Sequence, residues 1–356
     1  MRAVVISDVH GEYDKMIAAL DAVQFDKEKD MLISNGDLID RGPKVMECIR
    51  YVLNCPHHLI ILGNHEYMFL DTLLEPTTRF TMTDYWNGEG ATLKAIFNIE
   101  ISRMEHHLGF NQLYWGAPTK KGGGWKWMEM IDRDTTLANI YKHADRKAFT
   151  NLKDFFSYIK QGYKFIKLYN SAIDKYFITH GWPSVTINDK LDEYTMAENE
   201  ISASWVLTSD CMRSFFMNEL DKEDKIKKPV ITSSANNATI IVGHEWAFRL
   251  RYINSLIKNG QIYTNDKDYW SAIRGAVSFN NFDTFDFEVD CVDSNNNPSH
   301  NHIVMIDGCA NAELGKVNAF CIDDFDYIEC GESVIAQNLD TELKYSGYAA
   351  LRKLAK

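Results

Sequence analysis

The sequence predicts an α/β fold built on a parallel sheet, and three observations carry that expectation. Three times in the first 66 residues a short apolar run ends in a polar cluster. An amphipathic helical pattern separates one run from the next. Each run is close to continuously hydrophobic, as a parallel strand covered on both faces must be.

Ala3 to Ile6 forms the first strand, and Tyr13, Met16, Ile17, Leu20 and Val23 then recur at helical spacing as one apolar stripe. Met31 to Ser34 is the second strand, and Val45, Met46, Ile49, Val52 and Leu53 make a second stripe. Leu59 to Leu62 closes a βαβαβ unit whose helices are expected to cover the sheet. Farther on, Tyr176 to Thr179 leads into His180, Thr239 to Val242 into His244, and Ile303 to Ile306 into Asp307 and Gly308. Asp293 to Asn301 (DSNNNPSHN) is a polar, turn-rich surface loop. The stretch 67–173 is long and less regular, with Asp84 to Leu93 (DYWNGEGATL) and Gly122 to Met130 (GGGWKWMEM) inside it. It reads as an insertion or cap within a domain spanning 1–331, and 332–356 reads as a C-terminal helical tail.

A chain of 356 residues, 45% of them apolar, can bury a sizeable core. Its net charge of −12 repels polyanions, so stable nucleic-acid binding is not expected. No apolar run approaches the ~20 residues that cross a bilayer. Met1 and Arg2 lead straight into the first strand, so a cleaved leader is not expected. The seven cysteines are odd in number, scattered and free of any CxxC pair, as suits a reducing cytosol, and the expected location is cytoplasmic.

In open α/β sheets, ligands sit beyond the carboxyl ends of the strands, where every polar cluster above falls. Asp8 and His10 are two apart at a strand end, so both face one side and can meet the same cation. Asp37 follows the second strand, and its two carboxylate oxygens can bridge two metals; Asn64 follows the third and offers a carbonyl oxygen. His180 and His244 complete a set of oxygen and nitrogen donors without thiolate, which favours manganese, iron, zinc or nickel over calcium. Two cations ~3.5 to 4 Å apart can lower the pKa of a shared water and stabilise both oxygens of an in-line displacement at phosphorus. His65, beside Asn64, is the candidate proton donor, with Asp40 to orient its ring. Arg41 offers a fork that matches two phosphate oxygens.

At these residues the sequence resembles the phosphoprotein-phosphatase branch of the calcineurin-like metallophosphoesterases, whose signature is DxH, GDxxDRG and GNHE. Here those motifs are Asp8-Val9-His10, Gly36 to Gly42 and Gly63 to Glu66, followed by Thr179-His180-Gly181 and Val242-Gly243-His244. The resemblance implies a four-layer sandwich of two mixed sheets flanked by helices. It implies one metal on Asp8, His10 and Asp37, and another on Asp37, Asn64, His180 and His244. Three departures concern the substrate: Leu62 stands where arginine often precedes GNHE, Glu245 follows His244 where threonine is usual, and between Ser204 and Arg213 only Arg213 is available as a substrate arginine.

The expected function is hydrolysis of phosphomonoesters with two divalent cations, manganese first, in the manner of a serine/threonine protein phosphatase. A phosphorylated protein or a nucleotide is the expected substrate. A dinucleoside polyphosphate hydrolase is the alternative, because the WNGEGATL segment is similar to a stretch of those enzymes. A phosphodiesterase of cyclic nucleotides or RNA ends and a non-catalytic binding module are the remaining readings.

Overall fold

The structure, a computed structural model, describes residues 1–74, 88–98, 146–170, 174–183, 227–258, 281–293 and 295–331. Arg213, Gly122 to Met130 and 332–356 lie outside the described residues.

Among the described residues, twelve strands form two sheets. In the first, β1 (Ala3–Ile6), β2 (Met31–Asn35), β3 (His58–Ile61) and β4 (Gly162–Tyr163) run parallel, and β11 (Ala319–Ile322) joins β1 antiparallel. The expected βαβαβ unit is thus present, with its first strand at the bounds read from the sequence. The second sheet has seven strands in the order β12 (Tyr327–Cys330), β5 (Phe165–Asn170), β6 (Asp174–Thr179), β8 (Thr239–Val242), β10 (Pro298–Met305), β9 (Phe285–Asp293) and β7 (Val230–Ile231). Here β6, β8 and β10 are parallel at the centre, so their carboxyl ends all point the same way.

Strand alternation decides what each layer buries. Ala3 and Val5 of β1 meet Ile178, Ile241 and Val304 of the opposite sheet. Val4 and Ile6, one residue out of phase, turn to the helices α1 (Tyr13–Ala22) and α2 (Val45–Leu53). On the far side, Ile240, Val242, Ile303 and Met305 pack against Leu250 and Ile253 of the last described helix, Ala247–Lys258. The result is helix, sheet, sheet and helix, the four-layer sandwich expected from the motif resemblance.

Three more helices precede that one: α3 (Asn64–Leu74), α4 (Glu89–Phe97) and α5 (Arg146–Lys160), which makes Ala247–Lys258 α6. In α5, Ala148, Leu152, Phe155 and Ile159 recur at helical spacing and enter the same core as α1 and α2. Truncating a buried phenylalanine such as Phe155 costs ~3–5 kcal/mol. Asn151 of α5 donates to the carbonyls of Ala95 and Ile96, at 2.9 and 3.0 Å, and so caps the open end of α4. Arg50 of α2 reaches Asn151 at 2.6 Å and Asp154 at 2.8 Å. The described helices inside the stretch read as a cap are therefore part of the core, and they fix α4 beside the first sheet.

Candidate metal centre

All the strand-end residues except Arg213 fall among the described ones, and the loops that carry them are laced together by backbone bonds. The amides of Asp8, His10 and Gly11 donate to the carbonyls of Gly36, Asp37 and Leu38, and Gly243 donates to His180. Glu66 is fully buried, and its carboxylate accepts the amides of Asp37, Leu38 and Gly63 at 2.8 to 2.9 Å. One side chain thereby ties the GDxxDRG loop to the GNHE loop. Glu66 is the last residue of the GNHE motif, and nothing in its sequence pattern marks this role.

The backbone itself is unusual at this end of the sheets. Asp8, His10, Asp37, Asp40, Arg41 and His244 all have φ between 49° and 71°. Left-handed conformations of this kind cost of order 1 kcal/mol or more each and persist where surrounding structure holds them. Space is as tightly set. A Cβ on Gly63 would lie 2.1 Å from Asp37 Oδ1, and one on Gly243 would lie 2.3 Å from Asp8 Oδ2.

Donor atoms of His10, Asp37 and His65 lie within 4.8 Å of one another, as do those of Asp37, His180 and His244. Asp37 belongs to both groups. His10 Nδ1 is 2.9 Å from Ile39 O, and His180 Nδ1 is 2.8 Å from Asn35 O, so these nitrogens are the N–H donors and the Nε2 lone pairs turn inward. His180 Nε2 then faces Asp37 Oδ1 at 3.3 Å and Asn64 Oδ1 at 3.2 Å. The Nε2 atoms of His10 and His65 face Asp37 Oδ2 at 3.8 and 3.7 Å. Lone pairs gathered this closely repel unless a proton or a metal ion lies between them.

The electrostatics agree. Burial pushes the Asp8 carboxyl up to about 6, with Asp37 adding to the effect and His180 opposing it. Burial likewise raises Asp37, yet His180 and His65 outweigh it and hold Asp37 well below the usual carboxylate range. For His180, burial works downward, but Asp37 and Asp8 hold the ring up at about 10. Asp307, also buried, is pushed well above its ordinary value by burial and by Asp8. Several buried carboxylates around nitrogen and oxygen donors fit divalent cations.

Asp8 belongs to neither group within 4.8 Å, and His65 stands in the first group where the sequence reading had put Asp8. The Asp8 carboxylate instead accepts the amide of His244 at 3.1 Å and lies 2.6 Å from Ser7 Oγ. His65 Nδ1 is 2.6 Å from Asp40 Oδ2, the pairing read from the sequence. Arg41 sends Nη1 to His10 Nε2 at 2.6 Å and Nη2 to His65 Nε2 at 3.0 Å.

Two residues the sequence reading missed hold this pair. The side-chain hydroxyl of Thr92 in α4 bonds to Asp40 twice, accepting its backbone amide and donating to its carboxylate. Gly88 accepts the amide of Arg41 at 3.0 Å, and a Cβ there would lie 2.5 Å from Arg41 Cγ. Both sit in the DYWNGEGATL segment, whose glycines were the available signal. Leu62 is buried and packs on Gly162, where a Cβ would come 2.3 Å from its Cγ.

The calcineurin-like phosphoesterase family model matches residues 1–245. A serine/threonine-protein phosphatase 2 of Salmonella typhimurium is 38% identical over 84 residues, 23% of this chain and 38% of that protein. A symmetrical bis(5'-nucleosyl)-tetraphosphatase of Klebsiella pneumoniae is 44% identical over 71 residues, 20% of this chain and 25% of that protein. This chain therefore spans well under half the length of either relative. A metallophosphoesterase from Sphaerobacter thermophilus superposes over 100% of this chain and 98% of its own, with a TM-score of 0.32 and 12% identity. With a match that takes in both sheets' site loops from Asp8 to His244, the chain belongs to the calcineurin-like phosphoesterase family.

Proposed function

We propose that this protein hydrolyses phosphomonoesters in the manner of a serine/threonine protein phosphatase, with Asp8, His10 and Asp37 holding one divalent cation and Asp37, Asn64, His180 and His244 the other. The observation that carries this reading is that two donor groups share Asp37, with the His65–Asp40 pair and the Arg41 fork together on the side that holds His10. When bound, such a cation pair supplies Lewis-acid charge at phosphorus and a nucleophile at neutral pH. The donor set favours manganese, with iron, zinc and nickel as alternatives.

The chain's own residues do the rest. Asp40 takes the Nδ1 side of His65 at 2.6 Å, which fixes the ring and turns Nε2 to the centre. A proton carried on that nitrogen reaches the departing alkoxide, whose release is otherwise slow. Arg41 binds the phosphoryl oxygens through its two terminal nitrogens, exchanging the imidazole contacts for the charged substrate. Arg213 is the candidate second substrate arginine on sequence grounds alone. We further propose that 1–331 is the catalytic domain and that the protein works in the cytoplasm. Among the described residues no helix is long and apolar enough to cross a membrane.

A second reading, hydrolysis of a dinucleoside polyphosphate, is favoured by the segment WNGEGATL, residues 86–93, which is similar to a tryptophan, asparagine and glycine stretch of those enzymes. Its described residues Gly88 and Thr92 bond to Arg41 and Asp40. Purified, manganese-loaded protein offered a phosphopeptide, diadenosine tetraphosphate and a cyclic nucleotide side by side tests both. Phosphate released fastest from the phosphopeptide supports the first reading, and ADP formed from the dinucleotide alone selects the second. Preference for the cyclic nucleotide overturns both.

A further inference from the structure

Asn35 is the last residue of β2 and is fully buried. It stands two residues beyond Ile33, so strand alternation turns its side chain into the layer between the two sheets. Apolar side chains fill that layer, Ile33, Ile61, Ile178 and Ile241 among them. An amide in such a place costs stability unless both of its ends are bonded. Here one end is. Nδ2 donates to Thr179 O at 2.9 Å and so crosses from the first sheet to the second, while Oδ1 is buried with no hydrogen-bond partner among the described residues. A half-paired amide in the core calls for a reason other than stability.

The backbone carbonyl of the same residue supplies that reason. Asn35 O lies 2.7 Å from Ser7 Oγ and 2.8 Å from His180 Nδ1. Ser7 Oγ is also 2.6 Å from Asp8 Oδ2. The hydroxyl has one proton for these two acceptors, so it links the carboxylate to the carbonyl rather than serving either alone. Asp8 and His180 are ligands of different cations in the proposed centre. One ligand of each site is therefore held at a single oxygen. The Nδ2 bond reaches the residue directly before His180, which fixes where that oxygen sits against the second sheet.

The arrangement has little slack. A Cβ on Gly243 would lie 2.0 Å from Ser7 Oγ, and one on Gly36 would lie 2.4 Å from His180 Nδ1. Ser7, Asn35 and His180 are all buried, so water does not stand in for a lost partner.

We propose that Ser7 and Asn35 are positioning residues that couple the two cation sites, because Asp8 of one and His180 of the other are anchored to the same carbonyl. This rests on the ligand assignment made for the proposed function. A cation that fixes Asp8 also fixes Ser7 and the Asn35 carbonyl, and thereby sets the His180 ring for the second cation. Neither residue touches substrate.

The test titrates manganese into the metal-free, full-length chain by calorimetry. Electron paramagnetic resonance then reads whether the bound ions are isolated or exchange-coupled as a close pair. Wild-type protein is expected to bind two ions as a coupled pair. Ser7→Ala is expected to weaken both ions, each about tenfold, and to raise the isolated-ion signal at limiting manganese. Asn35→Leu, similar in size and without the Thr179 bond, is expected to do the same. Thr179→Val removes an Oγ1 that has no hydrogen-bond partner and should leave both affinities within about threefold. If Asn35→Leu does not fold, Ser7→Ala, which deletes a single atom, decides the matter. A loss confined to one ion in Ser7→Ala overturns the coupling, and so does a Thr179→Val loss equal to that of Asn35→Leu, which assigns the effect to packing between the sheets. Two ions in the wild type with unchanged affinities in Ser7→Ala overturn the coupling alone, whereas fewer than two ions in the wild type overturn the ligand assignment with it.

Discussion

The hydroxyl of Thr92 accepts the backbone amide of Asp40 at 2.9 Å and donates to Asp40 Oδ1 at 2.5 Å, closing a ring of bonds across 52 residues of sequence. Thr92 and Asp40 are both fully buried, so neither bond has water as a substitute. Thr92→Val keeps the shape and removes both bonds. It should destabilise the protein by ~1–3 kcal/mol in denaturant titrations, because a buried amide and a carboxylate oxygen lose their partner. It should also lower kcat about tenfold or more with little change in KM, since His65 is oriented through Asp40. Thr92→Ser should recover both, and a kcat unmoved by valine would remove Thr92 from the positioning of His65.

His65→Asn should reduce kcat on a small phosphomonoester by ~10²–10⁴-fold while KM stays within about threefold. Metal content, measured by elemental analysis, should match the wild type. A variant that loses metal as well would assign His65 to the cation group with His10 and Asp37 rather than to proton transfer.

Chelation should abolish hydrolysis, and manganese should restore it. Manganese at a hundred times its dissociation constant should also add ~2.7 kcal/mol of stability, read from thermal melts. Gly63→Ala should weaken that gain, since its Cβ would lie 2.1 Å from Asp37 Oδ1 and displace the carboxylate shared by both groups. Full activity after exhaustive chelation would falsify the two-cation reading.

Acid stability should depend on a pair far from the centre. Asp30 is held below its ordinary value by its bond to Arg2, against the opposing effect of burial. A depressed carboxyl contributes stability that is present above the unfolded value of ~3.9 and is lost as pH falls through the lower folded one. Asp30→Asn should therefore cost about 1 kcal/mol at neutral pH. The difference from wild type should vanish as pH falls through the depressed folded value, and a constant difference across the range would assign the effect to packing instead.

The first half of the fold was legible because its signals are local. β1 begins and ends where the apolar run AVVI does, and α2 covers the stripe from Val45 to Leu53. The residues of the candidate centre were legible for a related reason, since each stands directly after such a run. Less was readable where structure depends on distant partners. Thr92 touches Asp40 only because α5 caps α4 and α2 grips α5, a chain of contacts that no periodicity encodes. β10 begins at Pro298, inside the polar stretch read as a surface loop, and the four-residue β11 completes the first sheet from more than 300 residues away.

The left-handed backbone at Asp8, His10, Asp37, Asp40, Arg41 and His244 narrows which replacements evolution or an engineer can use. Glutamate matches aspartate as a ligand, but it lacks the short side chain that makes Asp, Asn and His tolerable at positive φ. Threonine and other β-branched residues are excluded outright. Redesign of this centre is therefore governed by chain geometry before coordination chemistry, and a change of metal preference is easier to seek in the neighbours that position these residues than in the ligands themselves.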